Sequence, residues 1–579
     1  MAPYVTGETP DVLAPHSTTA ATATTTTIIR PAAETEEWDD GGEEISIQPP
    51  PPMSDSPPRV LIIGAGSRGR TYAEATDKVS NGLVAAVVEP DPYKRMDLGR
   101  KRIWGPQGRS EPLEGEAFAD YPDFVAYEKR RRQREAAGEA VPPGVDAAFI
   151  CVLDEMHRAV IEALVELGGL HIMCEKPLAT TLEDCVAIYK ALRDNKTNTV
   201  FSIGHVLRYS PHNVLLRKLV VEDRVIGDVL SVVHTEPVGW WHFTHSYVRG
   251  NWRRENTTAP SLLTKSCHDI DVLLWLLCSP ASHKDKCQEP HMPSTVSSSG
   301  SLQLFKKSRK PVKAGAATNC LSCAAEPDCK YSAQRIYVGD ELRGLGTGNM
   351  RWPVSIAVPD IEDYAVRGGA DSARDVLLQK LAEDYGDETP DSDVAKRNWF
   401  GRCVFESDND VCDEQVVVMT WQDDPLPAGD DDADASESPT ADRLQHRGAK
   451  TATFHMVAHT KKICDRYTSL YGVDGEIYAD QATITVEDFR TGTTTVHRPP
   501  VESKGHGGGD AGLARQFILA VDRIKNHGWE AEQAQREIIG CTLEEIIRSH
   551  AMVFCAEEAR HGKTVVDWGP WWAKEVEER

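Results

Sequence analysis

Chemistry in this chain concentrates in three short stretches. The first is Leu170-His-Ile-Met-Cys-Glu-Lys-Pro177. Leu170 to Cys174 reads as a buried strand, and Pro177 forces Lys176 out of helical geometry and ends it. A helix predicted over Leu182 to Arg193 follows, with Thr181 as its N-cap. Lys176 is thus presented at the carboxyl end of a strand, the edge where open α/β sheets bind ligands. The second stretch, Leu262 to Leu277, is helical, with Ile270, Leu273, Leu274 and Leu277 as an apolar stripe. His268, Asp271 and Trp275 share a different face. A histidine with a carboxylate one turn on is suited to be oriented and tuned for proton transfer, the alternative being a purely structural histidine.

The third stretch is Gly64-Ala65-Gly66-Ser67-Arg68-Gly69, between the apolar strand Val60–Ile63 and a helix that runs to about Lys78. Gly64 permits a tight turn, Gly66 lets the backbone approach a pyrophosphate, and Gly69 lets the helix pack on its strand. The helix N-terminus offers free N–H groups to phosphates. A second strand, Leu83 to Val88, ends in Glu89, 23 positions after Gly66, where a carboxylate would bind the adenosine ribose hydroxyls. That carboxylate would repel a 2′-phosphate, which favours NAD over NADP; Arg68 or Arg95 would soften the preference.

These stretches need elements to hold them. Strand and helix patterns alternate from residue 59 to 204, which predicts a right-handed, doubly wound parallel sheet. Residues 93–144 read as an insertion. Its run Lys129-Arg-Arg-Arg-Gln-Arg134 is best taken as a solvated helix face. A second domain opens at Gly204-His205-Val-Leu-Arg208-Tyr209, and its alternating segments at 229–235, 414–421, 453–458 and 475–479 predict a sheet. Asn398–Cys412 is expected to add a strand. An aromatic and basic loop, Trp240 to Arg253, has the stacking and hydrogen-bonding groups that suit a sugar ring, Arg249 and Trp252 among them. Gly505-His506-Gly-Gly-Gly-Asp510 precedes a helix that Asp510 would cap.

Composition narrows the rest. The chain has 579 residues and a net charge of −25. The N-terminal 57 residues and the acidic run 423–442 supply −17 of it, both read as solvated disorder. The remaining balance argues against a nucleic-acid surface. No apolar run reaches membrane-spanning length and no secretory leader is evident, so a reducing, cytoplasmic setting is expected. Cys320-x-x-Cys323-x5-Cys329 has the look of three ligands of a zinc or iron–sulfur site. A fourth could come from Cys287, His291, Cys403 or Cys412, but free thiols in a packed loop are the default, and no metal site is assigned.

Gly64-Ala-Gly-Ser-Arg-Gly69, Glu175-Lys176-Pro177 and His268-Asp-Ile-Asp271 together resemble the glucose–fructose oxidoreductase / inositol dehydrogenase / rhizopine-catabolism family, over roughly residues 58–280 and 450–570. The Thr264-Lys-Ser-Cys-His-Asp wording and Arg249-Gly-Asn-Trp-Arg253 look closest to a streptomycin-pathway branch. The resemblance implies an N-terminal Rossmann domain at 58–203 and a C-terminal α+β domain at 204–579 with an open, mainly antiparallel sheet. It implies oxidation or reduction of a sugar, inositol or related polyol with NAD(P), and allows a homo-oligomer through the C-terminal sheet. Carried over residue by residue, Gly64 to Gly69, Glu89, Glu175 and Lys176 would hold NAD. Lys176 would stabilise the developing alkoxide, His268 would exchange the hydroxyl proton, and Asp271 would orient it. His205, Arg208, Tyr209, Arg249, Trp252, Thr264 and His506 would face the substrate. The chain departs from the family at Thr264, where an aspartate is usual; Lys265 beside it could take a charged role. A non-catalytic NAD-binding regulator and an NAD-dependent glycosidase remain alternative readings.

Overall fold

The computed structural model describes residues 54–195, 197–280, 289–426, 444, 446–500 and 506–579. Most of the acidic tail and acidic loop therefore lies outside the described residues. Six strands form the first sheet: β1 (Arg59–Ile63), β2 (Leu83–Val88), β3 (Ala117–Phe118), β4 (Ala147–Ile150), β5 (His171–Cys174) and β6 (Phe201–Ile203). All are parallel, in the order β3-β2-β1-β4-β5-β6. Val60 to Ile63 and Ala147 to Ile150 are buried on both faces, as a sheet covered by helices on each side requires. The strand order reverses between β1 and β4, so their carboxyl ends flank the crevice where such sheets take ligands.

Residues 93–144 differ from the insertion expected. They supply most of helix α2 (Pro92–Arg102), edge strand β3 and helix α3 (Tyr121–Ala136). The two-residue β3 is too short to show as a periodic pattern. The basic run lies on α3, where Arg131 and Arg132 bind the buried Glu128.

The second sheet has nine strands: β7 (Val229–Pro237), β8 (Thr295–Ser301), β9 (Glu414–Trp421), β10 (Lys450–Val457), β11 (Tyr467–Gly472), β12 (Gly475–Ala479), β13 (Ile484–Asp488), β14 (Thr493–His497) and β15 (Val565–Asp567). Their order is β14-β13-β12-β11-β7-β10-β9-β8-β15. Every pairing is antiparallel except β7 with β10. Strict alternation of buried and half-buried residues in β9 and β10 shows one face on the core and one toward solvent. The expected strand over Asn398–Cys412 is absent: that segment is irregular, with one isolated bridge from Asn319 to Arg402. Its backbone is held by the Arg249 side chain, which donates to the Arg402 carbonyl, and by a backbone bond from Asp410 N to the Arg253 carbonyl.

The helix Ser261–Leu277 lies on the covered face of this sheet, against β7, β10 and the helix Leu543–Gly562. All of its residues are buried. The apolar stripe predicted for it is real, but polar His268, Asp269 and Asp271 are enclosed on the other sides as well. Burial of that kind demands partners for each.

Candidate active site

The glycine loop is sterically tight at its first and last glycines. Gly64 has φ +94°, and a Cβ there would lie 2.5 Å from the Cys151 carbonyl oxygen at the end of β4. A Cβ on Gly69 would meet the Gly64 carbonyl at 1.9 Å. A Cβ on Gly66 would meet nothing within 4 Å, so the backbone is open on the side a pyrophosphate would approach. Helix α1 (Ser67–Val79) begins there with no side-chain cap, which leaves its first N–H groups to a ligand. Glu89 is buried and accepts from Ala65 N at 2.7 Å and Asp91 N at 3.0 Å, which fixes the carboxylate over the loop. Arg95 donates to the Glu89 carbonyl. Arg68 points elsewhere, and only Arg95 is placed to affect charge at the ribose end. The cradle fits a dinucleotide.

Arg68 joins three parts of the chain. Its Nε donates to Glu175 Oε1 at 2.7 Å, and one Nη donates to the Tyr72 hydroxyl at 2.7 Å and to Asp510 Oδ1 at 2.6 Å. Tyr72 donates to the same Glu175 oxygen at 2.6 Å. Asp510 also meets His506 Nδ1 at 3.1 Å, and these partners hold its carboxyl far below the carboxylate range despite burial. Asp510 is therefore not the cap of the helix Gly509–His527; Gly508 takes that position without a side-chain bond, because the Asp510 carboxylate is committed to Arg68.

The Glu175-Lys176-Pro177 segment is clamped from behind. His157 Nδ1 lies 2.8 Å from the Pro177 carbonyl oxygen, and His550 Nε2 accepts from Leu178 N at 2.9 Å. The His550 Nδ1 donates to Ile546 O at 2.8 Å, so the ring is neutral, and burial pushes its pKa down to about 4. Lys176 is left with its ammonium on the Thr264 carbonyl oxygen, at 2.5 Å. Thr264 and His268 are four residues apart on one helix and so share a face, which brings Lys176 to the histidine. Thr264 itself donates to Pro260 O at 3.2 Å.

At His268 the structure departs from the sequence expectation. Asp271 does not orient it: Arg208 grips Asp271 with Nε and Nη2 at 2.7 and 2.8 Å. The i, i+3 spacing is satisfied, but a guanidinium from the turn Val206–Tyr209 claims both oxygens. The carboxylate beside His268 is Asp269, with Oδ2 3.2 Å from Nε2. Arg466, from the start of β11, donates to His268 Nε2 at 2.8 Å and also binds Asp269 and Glu236. His234 adds a 3.1 Å contact to Asp269. Burial first, then the Arg466 and Lys176 charges, hold the His268 imidazole well below its ordinary pKa against the pull of Asp269. Its Nδ1 is buried and has no hydrogen-bond partner among the described residues.

Lys265 does take a charged role, as an ion pair with Glu236 at 2.9 Å and a 3.0 Å bond to the Cys464 sulfur. Burial opposes its charge, but Cys464 and Glu236 outweigh it and keep the ammonium charged. His506 belongs to this place: its ring lies 6.3 Å from that of His268. Cys464 and His506 both hold left-handed backbones, φ +57° and +52°, the kind of local strain that clusters at functional sites. A small open pocket lies beside them, lined by His212, Asn213, His234, Cys464, Arg466, Asp480, Gln481 and His506 among others.

Several expected substrate residues are spent on the scaffold. Arg208 is buried against Asp271 and Glu545. Tyr209 donates to Ile539 O at 2.9 Å, and His205 bonds Ser549 at 3.2 Å. Arg249 is only 1% exposed and reaches Arg402 O and Tyr331 O, far along the chain in the segment it anchors. Trp252 donates to Asp154 at 2.7 Å, just after β4, so it lies toward the dinucleotide crevice. Arg466, Glu236 and Asp269 escaped sequence reading. Asp269 adjoins the histidine but does not share its helix face by spacing, and Arg466 is 198 residues away.

Residues 58–205 match the family described as oxidoreductase family, NAD-binding Rossmann fold. Inositol 2-dehydrogenase of Corynebacterium glutamicum (strain R) is 28% identical over 223 residues, 38% of this chain and 53% of that protein. The 1,5-anhydro-D-fructose reductase of Ensifer adhaerens is 30% identical over 141 residues, 23% of this chain and 38% of that one. An inositol dehydrogenase homolog complexed with NAD+ from Azotobacter vinelandii superposes with a TM-score of 0.53 at 14% identity, over 89% of this chain and 98% of its own. At that identity the likeness is one of fold. The match to the first of these relatives spans about half of its length. Fold and cradle thus define a dinucleotide-binding α/β protein with a second, mainly antiparallel sheet. Residues 58–205 thus carry the NAD-binding Rossmann fold of that oxidoreductase family. No helix among the described residues is long and apolar enough to cross a membrane.

Proposed function

We propose that this protein is an NAD-dependent oxidoreductase acting on a secondary alcohol or ketone of a sugar, cyclitol or related polyol. The observation that carries the reading is His268 Nδ1, buried and unpartnered beside the strand end that bears Lys176. Bound nicotinamide supplies the hydride acceptor or donor. The rest falls to this chain's side chains. Arg466 donates into His268 Nε2, so the neutral ring carries its proton on Nδ1 and offers that N–H to a substrate oxygen. A ring protonated there cannot also take the hydroxyl proton. That role passes to Lys176: its neutral amine accepts the hydroxyl proton without making an anion of the imidazole, and the ammonium so formed offsets the charge developing on oxygen. His506, Arg466 and the amides and carboxylate of the adjoining cavity supply hydrogen bonds to further hydroxyls.

Glu89 favours NAD over NADP, since its carboxylate is fixed at the ribose end. Tyr467, Tyr471, Tyr478 and Val233 sit on the solvent side of the nine-stranded sheet, each about two-fifths exposed. They support self-association through that sheet, which sedimentation would read directly. The test of function is NADH formation, and NADH consumption with the ketones, across a panel of sugars, anhydrosugars and inositols. Turnover with at least one polyol is expected, abolished in Lys176→Ala with NAD affinity kept. Tight NAD binding without turnover would point instead to a regulator, and glycoside cleavage without net NADH to a glycosidase.

A further inference from the structure

The three-cysteine motif lies outside the site just described, and the fold gives it a fourth member. Cys320 starts one short turn, Cys320–Ser322, and Cys329 directly follows another, Glu326–Asp328, with Cys323 between. Backbone bonds then fetch Cys403: Cys320 N donates to Gly401 O and Cys403 N to Thr318 O, both at 2.8 Å. Cys320, Cys323, Cys329 and Cys403 line one cavity together with Arg249 and Tyr331. The other candidates fall away. His291 is bonded to Gln422 O and Lys450. Cys412 takes no part in the lining, and Cys287 lies outside the described residues.

Arg249 gives the independent observation. It is 1% exposed, its Nη1 has no hydrogen-bond partner, and no carboxylate among the described residues pairs with it. Its neutral contacts are carbonyls, Arg402 O and Tyr331 O, and its Nη2 reaches the Cys320 sulfur at 3.4 Å. A buried guanidinium without an anion costs several kcal/mol; of the groups lining this cavity that can carry negative charge, Glu326 is bonded to the Ser332 hydroxyl, and the rest are the Tyr331 phenol and the thiols. The thiolate is the form of cysteine that binds a metal, and a buried cation beside it favours that form.

We propose that Cys320, Cys323, Cys329 and Cys403 form a structural zinc site, with Arg249 as the counter-charge. On binding, the four thiols release four protons and Zn2+ takes four sulfurs in a closed tetrahedron, with no position left for water. The resulting complex carries two negative charges, one of them offset by Arg249. The ligand atoms already within 4.8 Å of one another belong to a different group, Glu255, Glu557 and His561, whose two carboxylates are spent on Arg560. The four sulfurs ring their cavity more widely, so zinc would draw the 320–329 turns onto Cys403. That contraction would fasten the 302–405 segment to the loop that carries Trp252.

The experiment is elemental analysis of the purified full-length protein, with cobalt substitution for the spectrum. One zinc per chain is expected, with intense sulfur-to-cobalt charge-transfer bands in the Co2+ form. Cys403→Ser should lose the metal and lower the Tm, whereas Cys412→Ser should keep it. Arg249→Met should weaken zinc binding at least tenfold while NAD affinity stays unchanged. Should Cys403→Ser fail to fold, metal content and the cobalt spectrum of the wild type decide alone. A wild type that holds no metal and takes up neither Zn2+ nor Co2+, zinc retained in soluble Cys403→Ser, or iron with acid-labile sulfide would each overturn the proposal.

Discussion

Asp269 and Asp271 stand two residues apart on one helix and are both fully buried, yet they live in different chemistry. Asp271 faces a single guanidinium that fills both of its oxygens, with Glu545 closing the other side of Arg208. Asp269 shares Arg466 with Glu236 and meets two histidines, one of which keeps an unpartnered Nδ1. A closed pair of this kind is part of the scaffold. An open cluster, where burial has been met by charge but one polar atom still lacks a partner, is a place for a ligand. The proposed catalytic side and the scaffold side are thus separated by about half a turn of helix.

The contrast breaks most sharply at the open end. Lys176→Met should cost at least 10²–10⁴-fold in kcat, with NAD affinity within threefold measured by fluorescence titration. His268→Ala should cost somewhat less, and His268→Asn, whose amide can stand where Nδ1–H does, should recover part of it. Equal loss in Ala and Asn would remove the donor role. At the closed end Asp271→Ala strands a buried guanidinium and should lose about 3–5 kcal/mol of stability, read as a fall in Tm, while kcat of the folded protein changes little. A large kcat effect at unchanged Tm would reverse the assignment of the two carboxylates.

Acid should expose the scaffold side again. Burial holds His171 and His550 down to about 4 and His205 and His245 down to about 3. Between about pH 6.5 and 4 the unfolded chain binds protons that the native state refuses, so stability falls as pH drops through that window. A flat Tm from pH 7 to 5 would contradict it. The smallest effect is expected for Asp269→Asn. Asp269 pulls the His268 pKa upward, so its loss should move the acidic limb of the rate profile to lower pH, with about tenfold or less change in kcat/KM.

What could be seen in advance was what is local. Strand, glycines, helix, strand and Glu89 follow one another within one β-α-β unit, and Gly64 and Gly69 are sterically required there. The Thr181 cap accepts from Asp184 N as its spacing requires, and alternation in β9 and β10 matches their one-sided burial. The histidine and lysine were legible because they lie on regular elements. Their partners were not. Arg208 and Arg466 arrive from distant segments, and which carboxylate each one claims depends on the angle at which a turn or strand crosses the helix. Apolar composition at 398–412 suggested a strand, but arginine-to-carbonyl bonds hold that backbone, so no ladder forms.

The helix Leu543–Gly562 touches both halves of the proposed chemistry: His550 fixes the backbone beside Lys176, and its packing supports the helix of His268. This has a consequence in time. During synthesis, Lys176 emerges more than three hundred residues before the imidazole that steadies the backbone beside it. A chain stopped before Thr542 should still close its glycine cradle yet possess no working site, which makes activity itself a signal that translation has passed this helix.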